Sequence, residues 1–386
     1  MPNENIPNAI AAGSPASLQQ MLHYDGKLAD LYRIYLVNLL LTIVTLGIWR
    51  FWGMTRLRRY VWSRTSMAGD RFEYDGTGLQ LFLSFLLAGA VLVGTLIVTI
   101  LLTMLLRQFS TRLAVLPIFL FELVIVVLAL GAPFSAQRYR LGHTLWRGIR
   151  GGMEGSAIQY GMRSLAYFLL AAVTLYQLLP WATLRLREQL ISASFLGDLR
   201  LHARGRPGQL YLIFLATFVG IVLLGVAVAG VVLALDWSGI RAMMTANAHA
   251  RGAPPDPQQA RLILHSIYYV IAGYVVFFFG AALISCAYSA AFWRHLLAHT
   301  KAGAIQFGSH VAARDVFVLI GGNFLILLAT LGLGYPIIIQ RNVRFFTGNL
   351  LASGTPDPAT LRQSDRPVPS LGEGMFQQLD AGAGFL

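Results

Sequence analysis

The sequence predicts an all-α polytopic membrane protein of about seven hydrophobic helices, with internal repeats and short strand-like entry segments at the membrane interface. Three observations carry that class. Hydrophobic residues make up 56% of the 386-residue chain against 12% charged, a balance that soluble domains do not have. Apolar runs recur from residue 31 to residue 340. Basic residues gather just outside those runs, where cytoplasmic loops of membrane proteins carry them.

A run of about 20 apolar residues is long enough to cross a hydrocarbon core of roughly 30 Å. Segments of that kind lie at 31–49, 79–106, 112–134, 164–182, 208–236, 262–290 and 315–339. Together they make 23–350 the polytopic membrane domain. Residues 1–22 read as a disordered leader, without the basic start and apolar core of a secretory signal. Residues 351–386 are rich in Pro, Gly, Ser and charge and read as a disordered tail.

The formal net charge of +13 does not point to nucleic acid, because the charge flanks apolar runs and no nucleic-acid motif accompanies it. Only Lys27 and Lys301 are lysines. Arginine forks grip phosphate with two bonds, so membrane lipids with anionic head groups are the expected partners. The single cysteine, Cys286, allows neither a disulfide framework nor a cysteine metal cluster.

Repeats organise the chain. Residues 38–60 align with 323–345 at an offset of 285, matching Asn38 to Asn323, Leu40 to Leu325, Thr45 to Thr330, Leu46 to Leu331, Gly47 to Gly332, Arg56 to Arg341 and Arg59 to Arg344. A weaker copy lies at 174–187, where Thr174, Leu175, Trp181, Arg185, Leu186 and Arg187 match at offset 129. Short segments at 65–76, 144–152, 194–205 and 300–308 share glycine turns and precede apolar helices. The alternation of Phe72 and Tyr74 with charged neighbours suits a strand at an interface.

Seven full crossings give only a weak positive-inside bias. If the three Thr-Leu helices near 31–49, 164–182 and 315–339 do not fully cross, only Arg107, Arg112, Arg241, Arg251 and Arg261 remain on the far side, which obeys the rule far better. Both arrangements stay open on sequence grounds.

Four polar residues inside apolar segments are candidate pathway groups. Glu122 is the one carboxylate deep in such a run, and an ionisable group in lipid is costly enough to suggest function. Asn38 and Asn323 occupy matched repeat positions and could bond across helices or contact a solute. His265 opens an aromatic segment and suits either a pathway mouth or the interfacial belt. Arg56, Arg58, Arg59, Arg341 and Arg344 follow the Thr-Leu helices and are candidates for lipid head-group anchoring. His295 and His299 are spaced i, i+4 but lack a third ligand nearby, so no metal is expected. Walker, dinucleotide and nucleophile-elbow motifs are missing from the sequence, so neither an enzyme nor a cofactor is expected.

The stretch Asn38–Thr42, then Thr45–Ile48, Trp49 and Trp52, Arg56–Tyr60 and Phe72–Gly78 resembles the YjgN-like family of bacterial inner-membrane proteins, classed as a domain of unknown function. The layout similarity runs from about residue 20 to residue 350. Trp49 and Phe51 stand where tyrosine and proline are usual. The resemblance implies a polytopic protein of the bacterial cytoplasmic membrane and supplies no substrate or site. A transporter-like or channel-like protein is therefore the leading expectation, with a membrane-organising, lipid-interacting scaffold as the alternative.

Overall fold

The computed structural model describes residues 18–248, 257–354, 356 and 361–363. In chain order the elements are β1 (Gln19–Gln20), β2 (Leu22–Tyr24), α1 (Leu28–Val44), α2 (Arg50–Ser63), β3 (Thr65–Met67), β4 (Asp70–Tyr74), α3 (Gly78–Arg107) and α4 (Val115–Gly142). Then come β5 (Thr144–Trp146), β6 (Ile149–Met153), α5 (Ala157–Val173), α6 (Leu179–Ser192), β7 (Ser194–Leu196), β8 (Leu199–Ala203) and α7 (Gly208–Leu235). The chain ends with α8 (Trp237–Ala248), α9 (Pro257–Ala298), β9 (Thr300–Ala302), β10 (Ile305–Gly308), α10 (Ala313–Thr330), α11 (Tyr335–Asn349) and β11 (Leu351–Ala352).

Among the described residues, five helices are long and apolar enough to cross a membrane, namely α3, α4, α7, α9 and α10, so the chain is a helical membrane protein. The sequence expectation of seven is not met among the described residues, because α1 and α5 are 17 residues each. At 1.5 Å per residue such a helix reaches only about 26 Å. In place of isolated strand-like pieces, the short strands join into one 11-stranded antiparallel sheet in the order β1-β11-β10-β9-β8-β7-β6-β5-β4-β3-β2. The end strands β1 and β2 are separated only by Met21, so the sheet comes round on itself through one bent segment. The outer limits of the leader and tail therefore move: Gln19–Gln20 and Leu351–Ala352 pair with each other within the sheet.

The described chain divides into two compact units. One holds the chain up to Gly205, Leu296–His310 and the chain from Asn323; the other holds Arg206–His295 with Val311–Gly322. All strands lie in the first.

Four of the strand pairs are tight hairpins with two-residue turns. Ala68-Gly69 and Arg147-Gly148 take positive φ at both positions, whereas Gly197 and Gly303 take it at the first position only. Those are the primed turns whose twist matches antiparallel strands. A hydroxyl caps the helix before each hairpin: Thr65, Thr144, Ser194 and Thr300 donate to the carbonyls of Val61, Arg140, Leu190 and Leu296 at 2.7–2.8 Å. Salt bridges then link one hairpin to the next, through Asp25–Arg71, Asp70–Arg147, Asp75–Arg150 and Glu154–Arg200. Being surface pairs, each contributes on the order of 1 kcal/mol or less; their repetition fixes register more than it adds stability.

Helices in the first unit approach closely. A Cβ on Gly131 or Gly161 would fall 2.6 Å or 2.2 Å from a backbone oxygen of the opposed helix, so α4 and α5 touch backbone to backbone. Within the second unit, Gly280 of α9 would meet Leu224 of α7 at 2.7 Å, and Phe214 stacks edge-on against Tyr288 at 5.6 Å.

Candidate functional site

The Thr-Leu motifs build one turn three times. After α1, Leu46 and Gly47 have φ of 51° and 94°; after α5, Leu175 and Tyr176 have 51° and 64°; after α10, Leu331 and Gly332 have 48° and 91°. Each closes a helix C-terminus with a long backbone bond, Gly47 N–H to Thr42 O, Tyr176 N–H to Ala171 O and Gly332 N–H to Leu327 O. This is the left-handed helix stop that satisfies otherwise orphaned carbonyls. The threonine of each motif donates back into the first helix and accepts from the start of the second: Trp49 N–H to Thr45 Oγ1 at 2.9 Å, Leu178 N–H to Thr174 Oγ1 at 3.3 Å, Gly334 N–H to Thr330 Oγ1 at 2.8 Å. The tips are apolar and bare, with Leu46 94%, Leu331 91% and Leu175 77% exposed.

The four candidate pathway residues do not converge. Asn38 is buried between α1 and α2, where its amide donates to Gly53 O at 3.2 Å and its oxygen accepts from Trp49 Nε1 at 3.3 Å. Asn323 does the equivalent work between α10 and α11, donating to Asn342 Oδ1 at 2.7 Å and accepting from Arg341 Nε at 3.0 Å. Glu122 lies on the exposed face of α4 and His265 on the exposed face of α9, its ring 5.4 Å from Tyr269.

The arginines separate into different roles. Arg58 is only 6% exposed and reaches Tyr74 Oη at 3.5 Å; burial at that site does not suit a head-group contact. Arg59 donates to Gly76 O at 3.0 Å. This bond recurs at the same spacing of 17 residues: Arg138 donates to Gly155 O, Glu188 accepts from Gly205 N–H, and Arg294 donates to Val311 O. Each clasp ties the end of a helix to the strand exit that follows. Sequence reasoning missed these clasps, although the Arg-to-Gly spacing at 59/76 and 138/155 was there to find. Arg344 is exposed on α11, and Arg341 is half-buried.

Arg56 is exposed on α2 with its guanidinium 5.3 Å from the Trp49 ring. Together with Arg33, Arg64, Asp30, Tyr60 and Asn38 it lines an open cavity of about 480 Å³ between α1 and α2. Tyr60 fastens the inner end, accepting from Lys27 N–H at 2.8 Å with Asp30 Oδ2 3.2 Å away. A second cavity of about 330 Å³ lies where α2, α4 and α11 meet the sheet; it is lined by Trp62, Phe72, Leu141 and Phe346 among others, with Thr65, Gln137, Arg140, Thr144 and Thr347 as its polar groups.

Beside it, His143 is buried at the end of α4, its Nδ1–H donating to Tyr139 O at 2.9 Å. Burial pushes the imidazole below its ordinary value, against the raising effects of that bond and of Asp75; Arg150 and Arg58 push it down further. Tyr24, in β2, is pushed up to about 12, chiefly by burial.

These features define a helical membrane protein whose short helix pairs and strands meet in a basic collar. The chain belongs to the family described as "Bacterial protein of unknown function (DUF898)", which matches residues 19–378. It is similar to the inner membrane protein YjgN of Salmonella typhimurium, at 42% identity over 66 residues, 17% of each chain. The Escherichia coli K12 protein of the same name is 42% identical over 55 residues, 14% of each chain. The matched segment thus spans about a sixth of the length of these curated relatives. No solved structure matches the chain.

Proposed function

We propose that the protein organises lipid in the cytoplasmic leaflet of the bacterial inner membrane, and that the three Thr-Leu helix pairs enter that leaflet without crossing it. The observation that carries this reading is the pairing of β6 with β7, Gly151 opposite Leu196. Helices α5 and α6 leave from one of these strands and return to the other, so their excursion contains an even number of crossings. Helix α6, with Arg185, Arg187 and Glu188, is too charged to be a span, which leaves a hairpin that dips and returns. The same reasoning applies to α1–α2 between the paired β2 and β3, and to α10–α11 between the paired β10 and β11. Pairs α3–α4 and α7–α9 then supply four full crossings, and the basic collar lies on one side as the positive-inside rule requires. The inner-membrane names of the relatives support the location.

Lipid organisation is favoured over solute movement because Asn38 and Asn323 are engaged in helix pairing while Glu122 and His265 face outward. Reconstitution tests this. Spin-labelled phosphatidylglycerol should be immobilised around the full chain more than phosphatidylcholine, while the vesicles stay sealed to a trapped dye. Glu122→Gln should alter neither result. The second reading, conduction, is favoured by the cavity of about 330 Å³ beside Arg140 and Gln137; dye release that a bulky substitution at Thr144 abolishes would select it.

A further inference from the structure

The groove between α1 and α2 differs from its two repeat copies in a way that defines a ligand. Arg33, Arg56 and Arg64 line it, with Asp30 as its one carboxylate, and no ion pair of these arginines occurs among the described residues. Arg56 stands over the Trp49 ring at 5.3 Å and Arg64 over the Tyr60 ring at 5.8 Å. Stacking on a ring face leaves the N–H edge of a guanidinium free to fork onto a planar or tetrahedral anion.

In the copy offset by 129, the residue equivalent to Arg56 is Arg185, which is bonded to Glu188 at 2.5 Å, and Met162 and Ala193 replace Arg33 and Arg64. In the copy offset by 285, the equivalent Arg341 is bonded to Asn323, and Val318 and Asn349 replace the other two. Both copies therefore keep the arginine and satisfy it internally. Only the first repeat leaves it for something outside the chain and adds two more.

The stripe of α1 that carries Asp30 and Arg33 continues at helical spacing through Val37, Leu40 and Val44, which are 46%, 63% and 70% exposed. A charged base thus runs directly into a bare apolar strip leading to the turn at Leu46. Free phosphate would use the base and have no need of the strip.

We propose that this groove binds one anionic glycerophospholipid, with its phosphate on Arg33, Arg56 and Arg64 and an acyl chain along Val37, Leu40 and Val44. The proposal rests on the lipid-organising reading and gives it an address. Three guanidinium groups against one carboxylate leave a net positive site, so phosphatidylglycerol should bind in preference to phosphatidylcholine.

The test is native mass spectrometry of the full chain in detergent, titrated with each lipid and separately with inorganic phosphate. Wild type should retain one phosphatidylglycerol, and Arg33→Gln/Arg56→Gln should weaken that retention about tenfold or more, the scale of one to two basic residues at an anionic surface. Arg107→Gln should leave it unchanged. Arg56→Lys keeps the charge and loses the fork, and should fall between; it also carries the test if the double variant does not fold. Equal retention by wild type and the arginine variants would overturn the site while leaving the lipid-organising reading intact. A wild type without preference among lipids would remove both. Inorganic phosphate at millimolar concentration displacing the lipid, with Leu40→Asn without effect, would show a free-anion site and overturn the lipid assignment.

Discussion

Glu188 is the clearest case of one side chain holding two elements. It is 6% exposed, pairs with Arg185 at 2.5 Å and accepts the Gly205 N–H at 2.5 Å. Removing it leaves the half-buried Arg185 guanidinium and the Gly205 N–H without their shared acceptor, so Glu188→Ala should destabilise by about 2 kcal/mol, read as a lower thermal midpoint in detergent. Glu188→Gln retains the acceptor for Gly205 and should cost less. His143 gives a different signature. Its folded value lies below 6.5 because burial disfavours the charged ring. As pH falls through 6.5 the unfolded chain takes up the proton first, and stability declines until the folded value is reached; above 6.5 the contribution is fully present. Thermal midpoints at about pH 7.5 and about pH 5.5 should differ more for the wild type than for His143→Gln.

The three helix–turn–helix pairs were legible as elements because their chemistry is local. Thr45, Thr174 and Thr330 were matched by offset alone, and each occupies the same hydrogen-bonded turn. What sequence could not give was the phase of each helix against its neighbours. Arg56, Arg58 and Arg59 sit within four positions of one another, yet one is exposed over Trp49, one is buried against Tyr74 and one clasps Gly76. Hydropathy likewise marks Glu122 as intramembrane and says nothing of which face of α4 it occupies. Strand pairing across long intervening segments was equally invisible, because residues 151–153 find their partners at 194–196 through tertiary geometry. The turn itself can be tested. A Cβ on Gly47 meets nothing within 4 Å, but φ is +94°, so Gly47→Val is penalised through the backbone alone. That penalty should be about 1–3 kcal/mol, and a valine at Gly89, which also has open space and no positive φ, should have little effect on the thermal midpoint.

At the scale of the whole molecule, the sheet supports the proposed topology, in which the Thr-Leu pairs dip and return, over seven alternating crossings. Seven alternating crossings would put residues 144–153 and 194–203 on opposite sides of the bilayer, whereas hydrogen bonds join those segments as β6 and β7. A strand pair cannot span a hydrocarbon core of roughly 30 Å, and unpaired strand edges within it would leave backbone groups unsatisfied. The reagent-access experiment follows from this contrast. In a Cys286→Ser background, single cysteines replacing Ser156 and Ser192 flank the α5–α6 pair, and one replacing Ser110 sits between α3 and α4. A membrane-impermeant maleimide should reach Cys at 156 and 192 only in inverted vesicles, and at 110 only in intact cells with permeabilised outer membranes. Labelling of 156 and 192 from opposite sides would mean that α5–α6 crosses once, and the β6–β7 pairing and the one-sided placing of the basic segments would have to be abandoned together.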